Sequence, residues 1–397
     1  MKKNRIIFAL DLGTTKFCMA ALKISPTEKS LDIFEVPAAG MKRGMLVDFN
    51  EARNALNQLV EKIEKSLKTD VREVVVGVAG SHLRGKTIEK LLSIGDKEIS
   101  DSHLDTLLDK AELSAKEDGR ELLHCIPVHF KIDDREPIMN PVGLSGNSLS
   151  ARYFIIDADL SYLKDMIRLC NLAALKVTQV YSEPFASASV TVDDTQKDVG
   201  IAVADIGGGT TDGIVYQKGR PVDVFTVNIA GSLMSQDLSA AFMIGPHQAE
   251  SLKTEVGLLG EVGRDISFQD LNGKSITRSS LECSDVLGSR VLELGAYLAS
   301  SLRPYKGQLA GGLLFTGGGS RLKGLNEFLA ARFKINVETA WPDCEKLGVS
   351  RELGGRYATV IGLLNLEVGR LKTSSEENQN WASKYLVSFF NWMKELS

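Results

Sequence analysis

Two segments, about half a chain apart, each combine an aspartate with a turn of glycine and threonine. In chain order they are Asp11-Leu12-Gly13-Thr14-Thr15-Lys16 and Asp205-Ile206-Gly207-Gly208-Gly209-Thr210-Thr211-Asp212. Each lies between two short apolar runs, a pattern that predicts a strand, a turn and a second strand. Backbone N–H groups in such a turn can surround a phosphate, because glycine has no Cβ to prevent close approach. The repetition predicts two related domains facing each other.

The aspartate that precedes each turn predicts a metal site. Asp11 and Asp205 would repel a phosphate, so we expect them to hold Mg²⁺ through water molecules, since this ion keeps much of its hydration shell. Lys16 would supply positive charge to the β or γ phosphate. The alternative is a pair of ordinary hairpin turns, and two copies with matching acids favour the phosphate site.

A third glycine-rich segment predicts the place of a nucleoside. The apolar run 313–316 leads into Gly317, Gly318, Gly319 and Ser320, and we predict a helix beginning at Arg321. Consecutive glycines at such a junction let a flat adenosine lie against the backbone. The chain contains neither the GxxxxGK[ST] pattern of a P-loop nor the glycine spacing of a dinucleotide-binding fold.

Composition restricts the class of protein. The 397 residues are 43% hydrophobic, 25% charged and 7% aromatic, as in ordinary globular proteins. A formal net charge of −4 disfavours nucleic acid as a partner. The five cysteines are widely spaced without a CxxC pair, so we expect buried free thiols in a reducing cytoplasm. No run approaches the roughly 18 apolar residues of a membrane span.

The last residues differ from the rest of the chain. Residues 371–380 are polar and predict a flexible linker. At 100° per residue, residues 381–396 place most of their apolar side chains on one half of a helix. Its members are Trp381, Ala382, Tyr385, Leu386, Phe389, Phe390, Trp392, Met393 and Leu396. Such a helix could pack on its own protein, in a partner's groove or in a membrane interface, and the Trp and Tyr favour the interface.

The three glycine-rich motifs together resemble those of the actin/Hsp70/sugar-kinase superfamily. This resemblance implies an α/β fold of two domains with ATP and Mg²⁺ in the cleft between them. It implies that Glu183, in a segment like the first connecting helix, lies near the nucleophilic water and is catalytic together with Asp205. The segment from Ser289-Arg290 onward resembles the second connecting helix. Residues 249–253 resemble the helix whose Glu and Lys flank adenosine, so Lys253 joins the ATP-binding residues; a solvated lysine is the alternative.

Residues 81–159 are too long for a loop and predict an inserted subdomain. Within it we predict a helix from Asp101 to Asp118, strands over 122–132 and 150–156, and a further helix from Asp159 to Ala173. Three segments resemble the bacterial FtsA family: 77–82, 122–127 and 140–146. Residues 231–237 also resemble it and add Gly231 to the ATP-binding residues. We interpret His82 and His124 as hydrogen-bonded structural residues.

The FtsA resemblance implies an actin-like fold in which the insert replaces the actin-type 1B subdomain. The implied division is subdomain 1A, residues 1–80 and 160–196; subdomain 1C, 81–159; subdomain 2A, 197–228 and 307–370; subdomain 2B, 229–306; linker, 371–380; membrane-targeting helix, 381–397. We predict a long helix starting near Ser279, with Ser279 and Glu282 forming a capping box.

The resemblance also implies a function. It implies a protein with at most slow ATPase activity that forms filaments and anchors FtsZ to the cytoplasmic face of the inner membrane, at the midcell septum. Recruitment of later division proteins would follow. We predict Arg278 and Arg290 as contacts of the FtsZ C-terminal peptide, since arginine forks suit carboxylates, with ordinary surface arginines as the alternative. The remaining alternatives are a pilus-assembly adaptor and a small-molecule kinase, although no sugar-site motif is found.

Overall fold

The apolar runs around both glycine-rich turns form paired strands in a computed structural model that describes residues 5–375. The first half and the insert contain β1 (Arg5–Leu12), β2 (Lys16–Ile24), β3 (Lys29–Pro37), β4 (Met41–Lys42), β5 (Met45–Leu46), α1 (Phe49–Leu67), β6 (Glu73–Val78), β7 (Leu83–Glu98), α2 (Asp101–Ala115), β8 (Arg120–Ile132), β9 (Ser145–Asp159), α3 (Leu160–Leu172), β10 (Lys176–Ser182), α4 (Glu183–Thr191) and α5 (Asp194–Val199).

The second half repeats the strand-turn-strand unit and ends in a long helix. Its elements are β11 (Ile201–Ile206), β12 (Thr211–Gln217), β13 (Arg220–Val227), α6 (Gly231–Phe242), α7 (Pro246–Val256), β14 (Asp265–Gln269), β15 (Ser275–Ser279), α8 (Ser280–Leu302), β16 (Leu313–Thr316), α9 (Leu325–Phe333), β17 (Val337–Thr339) and α10 (Ala358–Ser375).

The two large sheets share one topology around their phosphate turns. The first has the strand order β10-β6-β1-β2-β3 and the second β13-β12-β11-β16-β17. In each, the strand before the glycine turn pairs antiparallel with the strand after it and parallel with a later strand. The central strands are buried on both faces, which explains their nearly unbroken apolar sequence. The predicted α/β fold of two related halves is confirmed.

The insert is a three-stranded antiparallel sheet, β7-β9-β8, covered on one face by α2. Asp101 does not cap α2, contrary to our prediction. The N-cap is Ser100, whose backbone N–H donates to the ring of His103 in a capping box. The helix ends at Ala115, before the predicted Asp118. Asp159 caps the next helix as predicted, by accepting from the backbone N–H of Tyr162.

The helix predicted at Arg321 begins later. A single 3₁₀ turn covers Gly319–Arg321, and α9 starts only at Leu325. Gly324 separates the two in a left-handed conformation, with φ of 77°. Ser279 caps α8 by accepting from the N–H of Leu281, but the predicted capping box does not form: the Glu282 carboxylate lies 3.9 Å from the Arg278 guanidinium instead.

The last helix changes two further predictions. We assigned residues 307–370 to the second half, but the apolar side chains of α10 pack on the first sheet, against β1 and β2, and on α4. The helix also continues to Ser375, so residues 371–375 are not linker. The rest of the predicted linker and the amphipathic segment 381–397 lie outside the described residues. Between residues 5 and 375 no helix is both long and apolar enough to cross a membrane.

The helix that packs against α4, which we compared with the first connecting helix, is α10. It is not the helix with Ser289 and Arg290, which we compared with the second connecting helix. Those residues belong to α8, which packs on α6 and α9. At the crossing of α4 and α10, Gly362 lies directly against the Ala186 carbonyl, and a Cβ there would overlap this backbone atom. All five cysteines are buried free thiols, as predicted.

We predict that Gly362→Ala destabilises the protein. Alanine normally stabilises a helix by about 0.5–1 kcal/mol relative to glycine. Here the overlap with Ala186 should outweigh this gain and lower the free energy of unfolding by about 1–3 kcal/mol, as overpacking does. Urea unfolding measures it. Gly288→Ala in α8 is the control, because its Cβ would lie 3.4 Å from the nearest ring atom of Phe328. Equal stability changes in both variants would contradict this packing.

Candidate functional site

The two phosphate turns face each other across a cleft of about 650 Å³ between the halves. The third glycine segment lines the same cleft. The predicted residues found there are Asp11, Gly13, Thr14, Thr15, Lys16, Glu183, Asp205, Gly207, Gly208, Gly209, Thr210, Gly231, Lys253, Gly317, Gly318 and Gly319. Residues from both halves of the chain, from Asp11 to Gly319, therefore surround a single cavity.

The turns need their glycines because they touch each other. A Cβ on Gly208 would lie 2.8 Å from the Thr15 hydroxyl, and one on Gly209 would overlap the Thr14 hydroxyl. The second turn also receives support from α6, whose first N–H groups, at Gly231 and Ser232, donate to the Gly207 and Gly208 carbonyls. The glycines of the second turn thus leave room for the threonine side chains of the first.

Four carboxyl groups line the cleft; Asp212 is buried, and Asp11, Glu183 and Asp205 are partly buried. Burial raises the pKa of Asp11 and of Asp212, and raises the pKa of Asp205 to about 7. Burial, with the charges of Asp11, Asp212 and Asp205, raises the pKa of Glu183 well above its usual range. The Glu183 side chain lies against the Gly77 backbone, where a Cβ would be 2.7 Å from its Cγ. A cation placed among such desolvated carboxyl groups would favour their ionised form.

Lys16 faces this cluster. Its Nζ lies 4.0 Å from an Asp11 carboxylate oxygen and donates to the Arg356 carbonyl at 3.1 Å. The same nitrogen lies 5.3 Å from the centre of the Tyr357 ring. These contacts hold the ammonium at the end of β1, beside the first turn, where it can reach an anion in the cleft.

The other end of the cleft is formed by α6, α7 and the third glycine segment. Lys253 is buried, and its Nζ donates to Glu250 at 2.7 Å and to the Gly231 carbonyl at 3.1 Å. The Ser235 hydroxyl donates to the same Glu250 carboxylate. Lys253 is therefore not a solvated surface lysine. Its bonds connect α7 to the start of α6, on the side of the cleft between the second turn and Gly317.

Two predicted residues point away from the cavity. Thr211 is buried in β12, and its hydroxyl donates to the Ile229 carbonyl at 2.7 Å. The Ser320 hydroxyl donates to the Gly317 carbonyl at 2.8 Å. The Ser320 hydroxyl closes its own turn, and the Thr211 hydroxyl bonds to the segment that follows β13. Both hydroxyls are thus used within the protein, and neither residue lines the cleft.

Several residues of the cleft were not predicted. Asp212 accepts from the Gly80 N–H at 2.8 Å and from the hydroxyls of Thr210 and Thr226. Thr359, at the start of α10, donates to Asp205 at 3.0 Å. Tyr162, Arg321 and Arg356 also line the cavity. Asp212 and Arg321 could have been found, because the first ends the second motif and the other directly follows the third. Tyr162, Arg356 and Thr359 come from segments without a local pattern.

The two arginines predicted to hold a peptide lie outside the cleft in different settings. Arg290 is already paired, with Nε 2.6 Å from Asp237 and a further contact to Glu293. Arg278, on β15, is 44% exposed; its guanidinium lies 3.9 Å from the Glu282 carboxylate and donates to the Thr277 carbonyl at 3.3 Å. The two residues thus differ: carboxylates engage the Arg290 guanidinium, whereas the Arg278 side chain is more exposed.

The donor set fits Mg²⁺ bound mainly through water. Asp11 and Asp205 end equivalent strands of the two sheets and supply the hard carboxylate oxygens that this ion prefers. Within residues 5–375 no three His, Cys, Asp or Glu side chains are grouped closely enough to hold a metal by themselves.

Comparison with known families decides the relationship. The model described as "SHS2 domain inserted in FTSA" matches residues 80–157, and the model described as "Cell division protein FtsA" matches residues 202–362. Together they cover more than half of the chain. The chain belongs to the FtsA family.

Curated FtsA relatives agree over nearly the whole length. The cell division protein FtsA of Neisseria meningitidis is 27% identical over 92% of this chain and 90% of its own. That of Escherichia coli K12 is 24% identical over 99% of this chain and 97% of its own. The insert that interrupts the first half is thus the SHS2 domain of FtsA.

Solved structures show the same fold. The PilM-PilN type IV pilus biogenesis complex aligns with a TM-score of 0.63 and 18% identity, covering 91% of this chain and 98% of the other. MreB5 of Spiroplasma citri bound to ADP gives 0.58 at 15% identity, covering 94% and 99%. The predicted actin-like architecture of this FtsA-family chain is confirmed.

We predict that Asp205→Asn stabilises the protein in the absence of nucleotide. The pKa of Asp205 is raised from 3.8 to about 7, so the folded state holds this proton more tightly than the unfolded one. Stability is therefore lost as pH rises through this window, by up to about 4 kcal/mol. Asparagine avoids that loss and can still accept from Thr359.

Urea unfolding at pH 7.5 should give Asp205→Asn a higher free energy of unfolding, by about 1–4 kcal/mol, with a smaller difference near pH 5. The control is Asp32→Asn, which removes a carboxylate from an exposed pair with Lys23. A variant less stable than the wild type at pH 7.5 would refute the desolvated cluster.

Proposed function

We propose that this FtsA-family chain binds ATP with Mg²⁺ in the cleft and works as an actin-like, filament-forming adaptor in cell division. The observation that carries the proposal is the meeting of two phosphate-type turns and four buried or partly buried carboxyl groups in one cavity. Gly13 to Lys16 and Gly207 to Thr210 would hold the phosphates, and Gly317 to Gly319 with Lys253 the adenosine.

Mg²⁺ would neutralise phosphate charge when bound, with Asp11 and Asp205 holding its water ligands. Glu183 lies beside these carboxylates and would orient a water molecule for slow hydrolysis. Its raised pKa, caused first by burial and then by Asp11, fits a group that a bound cation returns to the ionised form. The fold does not require turnover, since a bound nucleotide can by itself favour one cleft geometry.

We further propose that the chain tethers FtsZ filaments to the cytoplasmic face of the membrane at the division septum and so helps to recruit later division proteins. Support for the membrane contact comes from the sequence of residues 381–396, in which all aromatic and aliphatic residues except Val387 share one helical face. For the FtsZ peptide, Arg278 is the better candidate, because Arg290 already uses its donors on Asp237 and Glu293.

A pilus-assembly adaptor has less support. The likeness to the PilM-PilN complex, at 18% identity, is one of fold. The family models and the full-length relatives are those of cell division proteins.

Replacing Lys16 by alanine should weaken ATP binding by about 10-fold to 100-fold, since a hydrogen bond to a charged group contributes about 1.5–3 kcal/mol. Isothermal titration with ATP and Mg²⁺ measures the dissociation constants. The matched control is Lys23→Ala on the same strand, whose ammonium makes an exposed pair with Asp32. Similar affinities in the two variants would contradict the assignment of Lys16 to the phosphates.

Vesicle binding should depend on the apolar face of residues 381–396. We expect Phe389→Glu to abolish co-sedimentation with vesicles of mixed zwitterionic and anionic lipid, because a charge would replace buried apolar surface. The adjacent Ser388→Glu adds the same charge on the polar half and should retain binding. Loss in both variants, or in neither, would refute insertion of this face.

A further inference from the structure

The short hairpin β4–β5 lies across both phosphate turns. Its two loop residues, Arg43 and Gly44, both have positive φ, 51° and 74°, as in a tight two-residue hairpin turn. The Gly44 N–H donates to the Thr14 hydroxyl at 2.9 Å. A Cβ on Gly209 would lie 2.8 Å from the Arg43 Cα. The hairpin therefore contacts a turn from each half.

Tyr162 holds this hairpin from α3. Its hydroxyl donates to the Gly44 carbonyl at 3.1 Å, and its side chain is buried while lining the cleft. Both backbone groups of Gly44 are thus engaged: its N–H holds the first phosphate turn, and its carbonyl is held by Tyr162.

The root of the insert reaches the same hairpin. The His82 ring stacks on Tyr162 with centroids 3.8 Å apart and planes 7° apart, and its Nε2 contacts the Met45 sulfur. The His82 carbonyl accepts from the Asp159 N–H at 3.1 Å and from Arg120 at 2.9 Å. These bonds join the start of β7 to the end of β9, where the insert leaves the first half.

The hydrogen bond from Gly44 determines how the Thr14 hydroxyl can bond to a ligand. A threonine hydroxyl carries one proton and accepts through its lone pairs. Because Thr14 accepts from Gly44, its own proton remains to be donated, and Thr14 lines the cleft. The Gly44 bond thus uses one lone pair and leaves the Thr14 O–H to donate, which suits a phosphate oxygen.

We propose that Tyr162 is a positioning residue for phosphate binding. It acts through Gly44 on the Thr14 hydroxyl and connects the root of the insert to the occupancy of the cleft. This inference rests on the proposed nucleotide function and deepens it, because it assigns a phosphate-specific task to residues outside the glycine motifs.

The test is Tyr162→Phe, which removes only the hydroxyl and keeps the ring stacked on His82. Without nucleotide, hydrogen exchange of the Gly44 amide should become about fivefold faster, and the dissociation constant for ATP about fivefold larger, as expected for one neutral hydrogen bond. Affinity for adenosine, measured by competition against a fluorescent ATP analogue, should not change. A purely structural defect would weaken both ligands alike.

Tyr305→Phe is the matched control, because it removes a similar tyrosine hydrogen bond, to Asp223, away from the hairpin. His82→Ala should reproduce the faster exchange at Gly44, and His82→Phe should restore the wild-type rate by keeping a stacked ring. The inference is overturned if the Gly44 amide exchanges at the same rate in Tyr162→Phe and Tyr305→Phe. It is also overturned if Tyr162→Phe loses affinity for ATP and adenosine equally.

Failure of the inference can be told from failure of the proposed function. A wild type that binds ATP beside a Tyr162→Phe variant with unchanged ATP affinity overturns only the inference. A wild type that binds no ATP overturns the proposed function together with the phosphate task of Tyr162.

Discussion

Carboxyl groups buried between two halves of a protein create a constraint that the surrounding structure must satisfy. Asp11, Glu183, Asp205 and Asp212 come from both halves, and burial raises the pKa of each. Such groups cost stability unless they are protonated, hydrogen-bonded or neutralised by a cation. Here Asp212 has three donors and Asp205 has Thr359, whereas Asp11 faces Lys16. The unsatisfied remainder supports the proposal that the cleft binds a cation together with an anionic ligand.

The fold places these groups by repetition. In both sheets a buried strand delivers an aspartate to its carboxyl end, and a glycine-rich turn follows at once. The crossing of α4 and α10 then joins the two halves, because α10 packs on the first sheet while α4 also packs on β11 and β12 of the second. The backbones of Ala186 and Gly362 are in direct contact at this crossing. Thr359, one turn before Gly362, binds Asp205 from this helix. The interface between the halves and the acidic cluster thus depend on the same helix.

Most of this architecture could be predicted where the signal was local. The two Asp-Gly-Thr motifs revealed the duplicated halves, and the length and strand pattern of residues 81–159 revealed the insert. Residues such as Tyr162 and Arg356 could not be found, because only tertiary folding brings them to the cleft. The packing of α10 on the first sheet was missed for the same reason. Its apolar side chains indicate that the helix is buried, but they do not indicate which sheet it packs against. Thr211 and Ser320 were overassigned, since motif position does not reveal where a hydroxyl points.

The most direct test of the account is a crystal or cryo-electron microscopy structure of the full chain with Mg²⁺ and a non-hydrolysable ATP analogue. The account expects density for the phosphates between Gly13–Lys16 and Gly207–Thr210, metal density beside Asp11 and Asp205, and the adenosine against Gly317–Gly319. Nucleotide bound to one half alone, or density elsewhere with an empty cleft, would contradict it.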